Sequence, residues 1–222
     1  MDKTLEKSAD NQLSKEEWRI SGILSGVYAL RMLGLFLVLP VLSLYAAELA
    51  GSQQSMWIGW AMGAYGLTQA CLQLPFGMVS DKWGRKKTIY IGMAMFVIGS
   101  FIAAAATSIE WLVFARALQG AGAVSAAVTA LLADQTRDEV RTKSMALVGG
   151  SIGLMFAVAL VAAPLLTAKV GLAGLFGLTC ALALGGIAVV VWAVPPEPAQ
   201  HRNAPRGRLA EVWAHPDLLR LN

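Results

Sequence analysis

Residues 77–87 read GMVSDKWGRKK, and five of these side chains are ionisable although long apolar runs flank the stretch on both sides. The lone acid, Asp81, lies between Gly77 and Gly84, and Arg85, Lys86 and Lys87 follow the second glycine. Cations in a short connection hold it on one side of a membrane. That accounts for lysine and arginine but not for the acid or the glycines. If the preceding helix runs on into the stretch, Gly77 and Asp81 fall one turn apart on one face. Asp81 then sits at a helix C-terminus, where the helix dipole disfavours an anion unless a cation or the positive N-terminus of another helix meets it. Gly84 can take a backbone conformation that other residues avoid.

The rest of the chain sets the solvent. Of 222 residues 56% are hydrophobic and 14% charged, with mean hydropathy +0.58, too few polar side chains to cover a water-soluble globule of this size. Membrane lipid is the expected surrounding. The net charge is +4, and the basic residues are spread over several short segments, which argues against nucleic acid as a partner. Cys71 and Cys180 both lie inside apolar runs, without the partners that a disulfide or a metal site needs, so no metal is expected.

Six stretches have roughly the 20 residues that a helix needs to cross the hydrocarbon core. They are placed at 22–45, 56–79, 88–106, 111–133, 145–167 and 172–194, which predicts an all-α membrane bundle. Residues 1–21 form a polar N-terminal segment, in which Ser14 and Glu17 have the spacing of a helix-capping pair. Four lysines and arginines lie in that segment, four in the second connection, three in the fourth and four after residue 194, against Lys169 alone in the first, third and fifth connections. Fifteen to one predicts that both ends of the chain are cytoplasmic. Residues 195–222 open on PPEPAQHRNAPRGR, a proline-rich basic linker that cannot continue a helix. The short amphipathic segment after it, closing on Leu218, Leu219 and Leu221, is read as ending just before a seventh span, so the chain is expected to be half of a longer protein.

Two charges remain inside predicted spans. Arg31 lies about nine residues into the first and Arg116 about five into the fourth. An arginine near mid-bilayer costs roughly 2.5–3.5 kcal/mol or more. Either they are structural pins that satisfy backbone carbonyls or reach an interface, or they face a water-filled cavity, with Gln119 as a polar neighbour of Arg116. No acid lies deep in any predicted span, because Glu48, Glu110 and Asp134 fall at span ends. Gly22/Gly26, Gly59/Gly63 and Gly149/Gly153 are spaced for close packing of helices, chiefly within the bundle itself. Ala163-Pro164 in the fifth span predicts a bend and a hinge.

No catalytic residue is nominated. Gly149-Gly150-Ser151-Ile152-Gly153 has the spacing of a hydrolase nucleophile elbow, but it lies within a predicted helix, and both histidines, His201 and His215, are in the terminal segment. There is no phosphate-cradling loop, and no cofactor is expected.

Gly77-x-x-Ser80-Asp81-Lys82-x-Gly84-Arg85-Lys86 resembles the signature loop between the second and third helices of the major facilitator superfamily. Leu112-x-x-x-Arg116-x-x-Gln119-Gly120-x-Gly122 resembles that superfamily's fourth-helix motif. The fifth span is similar to the helix-5 motif of its drug:proton antiporters, with Ala163-Pro164 where the antiporter pattern has Gly-Pro. YALRMLGLFLVLPVLSLYA (28–46) and AYGLTQACLQLPFG (64–77) also resemble bacterial members of the superfamily.

The resemblance implies the N-terminal half of a twelve-helix fold, built from two inverted three-helix repeats. It implies a secondary transporter of the inner membrane that draws on the proton gradient and moves a small-molecule substrate, by alternating access. In the family the loop acid meets a helix N-terminus of the other half, and the loop arginine pairs with an acid at the end of the fourth helix. Transferred by motif, these are Asp81 and Arg85, with Asp134 as the latch partner and Gly77, Gly84 and Lys86 completing the gating loop. Arg31, Arg116 and Gln119 become cavity or coupling residues, and Gly149, Gly153, Ala163 and Pro164 a packing and hinge element. Export of amphiphilic molecules is the leading expectation. A solute uptake carrier of the same fold, and a six-helix interaction protein or homodimeric half-transporter, are the alternatives.

Overall fold

The computed structural model describes residues 12–50 and 55–194. The expectations for 1–11, for the linker at 195–222 and for the Glu48 side chain lie outside the described residues. Within them the fold is helical, without strands: α1 (Lys15–Ala50), α2 (Ser55–Trp83), α3 (Arg85–Ala104), α4 (Ile109–Ala121), α5 (Ser125–Asp134) and α6 (Asp138–Ala193).

Two of these assignments differ from the six spans read in the sequence. The fourth span is broken, so that α4 and α5 are its two pieces. The fifth and sixth spans are joined in α6, which Gly171 interrupts at φ 66° and ψ −177°, leaving arms at 138–170 and 172–193. Only glycine takes that conformation without strain. Four stretches are long and apolar enough to cross a membrane by length and composition, namely Lys15–Ser43, Arg85–Ala104, Ile109–Asp134 and the doubled Asp138–Ala193. α2 has the length but also carries Thr68, Gln69, Gln73, Ser80, Asp81 and Lys82, which dilute its hydropathy.

The helices overrun several of the predicted spans because a helix need not end where hydrocarbon does. At 36 residues α1 is about 54 Å long, against a hydrocarbon core of about 30 Å. Its start is fixed by a reciprocal cap: Ser14 N donates to Glu17 Oε2 at 2.8 Å and Glu17 N donates to Ser14 Oγ at 3.2 Å. α2 continues through Asp81 to Trp83 and stops at Gly84, whose φ of 105° ends one helix and begins the next.

Pro164 lies within helical backbone, Gly171 being the interruption inside α6, and Thr167 Oγ1 donates to the Ala163 carbonyl at 2.7 Å. The interruption that the sequence did not announce is in the fourth span. Gly122 has φ −73° and ψ 54°, with Ala123 N donating to Ala121 O at 2.9 Å, which is an inverse γ-turn. Val124 N then donates to Gly122 O at 2.8 Å before α5 begins.

α1 packs chiefly on α6, α2 on α4, and α3 on both α4 and α6. One apolar cluster, including Leu24, Met93, Phe96 and Leu131, lies towards the end that carries Gly84 and Arg137; a second, including Leu42, Leu112 and Phe176, lies towards the other. The paired glycines do not make these contacts. A Cβ added at Gly22, Gly26, Gly59, Gly63, Gly149 or Gly153 would meet nothing within 4 Å, so the expected packing within the bundle is absent. Close approach falls instead to single glycines such as Gly120, where an added Cβ would overlap the Tyr65 carbonyl oxygen and Thr68 Oγ1.

Candidate functional site

Two groups of polar side chains stand out, one at the charged end of the bundle and one in its interior. At the charged end, Arg85 is the first residue of α3, Asp81 lies in the last turn of α2 and Asp134 is the last residue of α5. A cation at a helix N-terminus and an anion at a C-terminus are each opposed by their own helix dipole, by roughly 0.3–1 kcal/mol. The three residues relieve one another. Arg85 Nε donates to Asp134 Oδ2 at 3.1 Å, and Arg85 Nη1 donates to Ser80 Oγ at 3.2 Å and pairs with Asp81. The Asp134 side chain is 13% exposed and that of Asp81 60%, so one arm of the bridge is sheltered and the other open to the surroundings.

Gly84 supplies the turn that sets Arg85 back against α2, while Gly77, one turn before Asp81, faces Ala126 of α5 at ordinary contact distance. Lys86 has a specific partner, since its Nζ donates to the Val194 carbonyl at 2.7 Å and so caps the end of α6. The loop therefore reaches both the end of the fourth span and the end of the sixth.

A second bridge at this end had no counterpart in the sequence reading. Arg137, the N-cap of α6, donates from Nε to Glu17 Oε1 at 3.0 Å and from its backbone N to the same oxygen at 3.1 Å. Glu17 thus serves both the cap of α1 and the connection between the fourth and fifth spans. Only the opposite signs of the two residues, on the same predicted side, hinted at it.

In the interior, Arg31 and Arg116 are each 1% exposed. Arg31 reaches α2, α3 and the break in the fourth span: its Nη2 donates to Tyr65 Oη at 3.1 Å and to the Gly122 carbonyl at 3.0 Å, and its guanidinium carbon lies 5.1 Å from the Phe96 ring centroid. One of its partners is thus a backbone carbonyl. Arg116 Nη1 donates to Gln119 Oε1 at 2.8 Å, Gln119 Nε2 donates to Ser100 Oγ at 2.8 Å, and Ser100 Oγ donates to the Phe96 carbonyl at 2.7 Å. Its guanidinium carbon lies 4.9 Å from the Tyr65 ring centroid, a favourable placement of a cation over a π face.

Among the described residues no carboxylate is within ion-pair distance of either arginine. Nε and Nη1 of Arg31 and Nε and Nη2 of Arg116 have no hydrogen-bond partner. Tyr65, which touches both guanidinium groups, escaped the sequence reading because a tyrosine in a span ordinarily reads as packing.

The remaining candidates are not brought to either group. Gly149 and Gly153 lie on an exposed face of α6, and Ala163 is buried beside Leu37 and Ala159. Ser151 is in continuous helix and donates to the Val148 carbonyl at 2.7 Å, so the elbow spacing has no elbow.

The Major Facilitator Superfamily model matches residues 24–221. The inner membrane transport protein YajR of Escherichia coli K12 is 46% identical over 217 residues, covering 96% of this chain and 48% of that protein. The uncharacterized transporter BU466 of Buchnera aphidicola from Acyrthosiphon pisum is 40% identical, over 76% of this chain and 43% of that one. Multidrug resistance protein 2 of Bacillus subtilis is 30% identical over 60% of this chain and 33% of its own length. The chain spans about half the length of the curated relatives it matches first. Among solved structures, the human organic anion transporter MFSD10 superposes with a TM-score of 0.70 at 18% identity, over 90% of this chain and 53% of that one. That likeness concerns the fold.

Proposed function

The chain belongs to the major facilitator superfamily, a family of membrane transporters and not of enzymes, and on that premise we propose that it supplies one six-helix half of a proton-coupled secondary transporter that exports small amphiphilic molecules. The observation that carries the proposal is the three-residue bridge Asp81–Arg85–Asp134. Arg85 ties the second connection to the end of the fourth span, and Asp81 keeps an exposed carboxylate edge at the end of α2. An anion so placed has a use if the positive N-terminus of a helix in a second half closes against it in one state and leaves it in the other. Rocking of two such halves about a midplane site alternates access. The latch biases that equilibrium only through its different strength in the two states.

In this reading the charged end faces the cytoplasm of an inner membrane, following the distribution of lysine and arginine. An inner membrane transport protein and a multidrug resistance protein among the relatives support the location and the direction. Arg31, Arg116 and Gln119 set the field next to the pathway. Arginine does not titrate at ordinary pH, so neither interior arginine is the proton carrier. The proton gradient is the energy source.

The test is transport by the whole protein in liposomes under an imposed pH gradient, with a panel of amphiphilic dyes as probes. Dye movement that follows the gradient and collapses with a protonophore is expected. Movement insensitive to the gradient would sink the antiport reading.

A further inference from the structure

The interior arginines hold the two sides of the break in the fourth span, and one residue touches them both. On one side of the break, Arg31 takes the second lone pair of the Gly122 carbonyl, whose first is used by Val124 N. On the other side, Arg116 of α4 lies over the Tyr65 ring. The Tyr65 hydroxyl accepts from Arg31, and its main-chain carbonyl is the wall against which Gly120 packs. One turn further along α2, Thr68 Oγ1 is 2.9 Å from the Ala117 carbonyl of α4. The ring face, hydroxyl and backbone of one residue therefore contact α4, the arginine that grips the break, and the last turn before it.

We propose that Tyr65 is a positioning residue, which sets Arg31 and Arg116 on opposite sides of the Gly122 break and so fixes the angle at which α4 hands over to α5. Without the hydroxyl, the Arg31 guanidinium loses one of its two neutral acceptors and swings about the Gly122 carbonyl. Without the ring, Arg116 loses its π face and α4 loses one of its supports against α2. Asp134 and its bridge to Arg85 sit at the far end of α5, ten residues long, so a change at the break is carried to the charged end as a tilt of that helix. The inference rests on the transporter reading for its consequence in a cycle, but not for its measurement.

Two variants separate the hydroxyl from the ring. Hydrogen exchange is followed in the full chain in lipid nanodiscs, for wild type, Tyr65→Phe and Tyr65→Leu. Tyr65→Phe is expected to speed exchange at amides 123–128 by about tenfold to a hundredfold, the change that follows loss of a hydrogen bond to a charged group. It leaves amides 112–121 protected. Tyr65→Leu is expected to speed both segments, and the phenylalanine variant thereby rescues α4 alone. Unchanged exchange at 123–128 in Tyr65→Phe overturns the proposal, as does a uniform rise through α3 and residues 172–193, which marks general loosening. Because exchange is read without transport, a failed dye assay and a failed clamp are told apart.

Discussion

Among the described residues, arginine meets carboxylates at the charged end of this bundle and none in its interior. At the rim Arg85 lies between Asp134 and Asp81, and Arg137 against Glu17, in pairs that are partly open to the surroundings. Inside, Arg31 and Arg116 rest on a carbonyl, a tyrosine, a glutamine and two ring faces. Partly exposed pairs are worth about 0–1 kcal/mol each, so they can be exchanged for partners on another surface at little cost. The buried cations are held by neutral groups of the same bundle.

The largest effect is expected where the interior has no room at all. Gly120→Val drives side-chain atoms into the Tyr65 carbonyl and Thr68, and is expected to cost about 3 kcal/mol in thermal unfolding in nanodiscs. Gly153→Ala is the control, because nothing stands within 4 Å of its added methyl group, and it does not lower the unfolding midpoint, alanine being the better helix former. A damaging Gly153→Ala would place a packed neighbour where the structure has none.

A smaller effect distinguishes neutral from ionic company. Removing one partner of a buried ion pair costs about 3–5 kcal/mol, because the other charge is stranded. Arg31 strands no carboxylate, so Arg31→Met is expected to cost less than about 2 kcal/mol, the Gly122 carbonyl keeping its bond from Val124. A loss of 3 kcal/mol or more would mean that an anion faces Arg31. At the rim, Arg85→Gln is expected to cost about 1 kcal/mol, because the open arm to Asp81 contributes little. Equal losses at Arg31 and Arg85 would erase the contrast.

The rim was legible because its residues are conspicuous in an apolar chain. Asp81 at a predicted helix end demanded a cation or a helix N-terminus, and Gly84 announced the turn that the structure places there at φ 105°. The Ser14–Glu17 cap was equally readable, since reciprocal capping depends only on spacing three residues apart. The interior was legible only as a cost. Two arginines in spans had to be held by something, but carbonyls and ring faces leave no mark in a sequence. Tyr65 and the break at Gly122 were hidden for the same reason. The paired glycines misled in the other direction: spacing of four residues puts two glycines on one helix face, without saying whether that face meets a neighbour in the same chain. Pro164 was read as a bend and a hinge; it lies within helical backbone, and the non-helical residue inside α6 is Gly171.

In the proposed cycle the charged loop is one side of a latch and not only a topological anchor. The measurement that tests it most directly is transport by the whole protein carrying Asp81→Asn, reconstituted beside wild type under the same pH gradient, with membrane insertion quantified in parallel. Normal insertion is expected, with transport reduced about tenfold, the effect of a state bias of about 1.4 kcal/mol. Asp81→Asn protein that inserts normally and transports at the wild-type rate would contradict it.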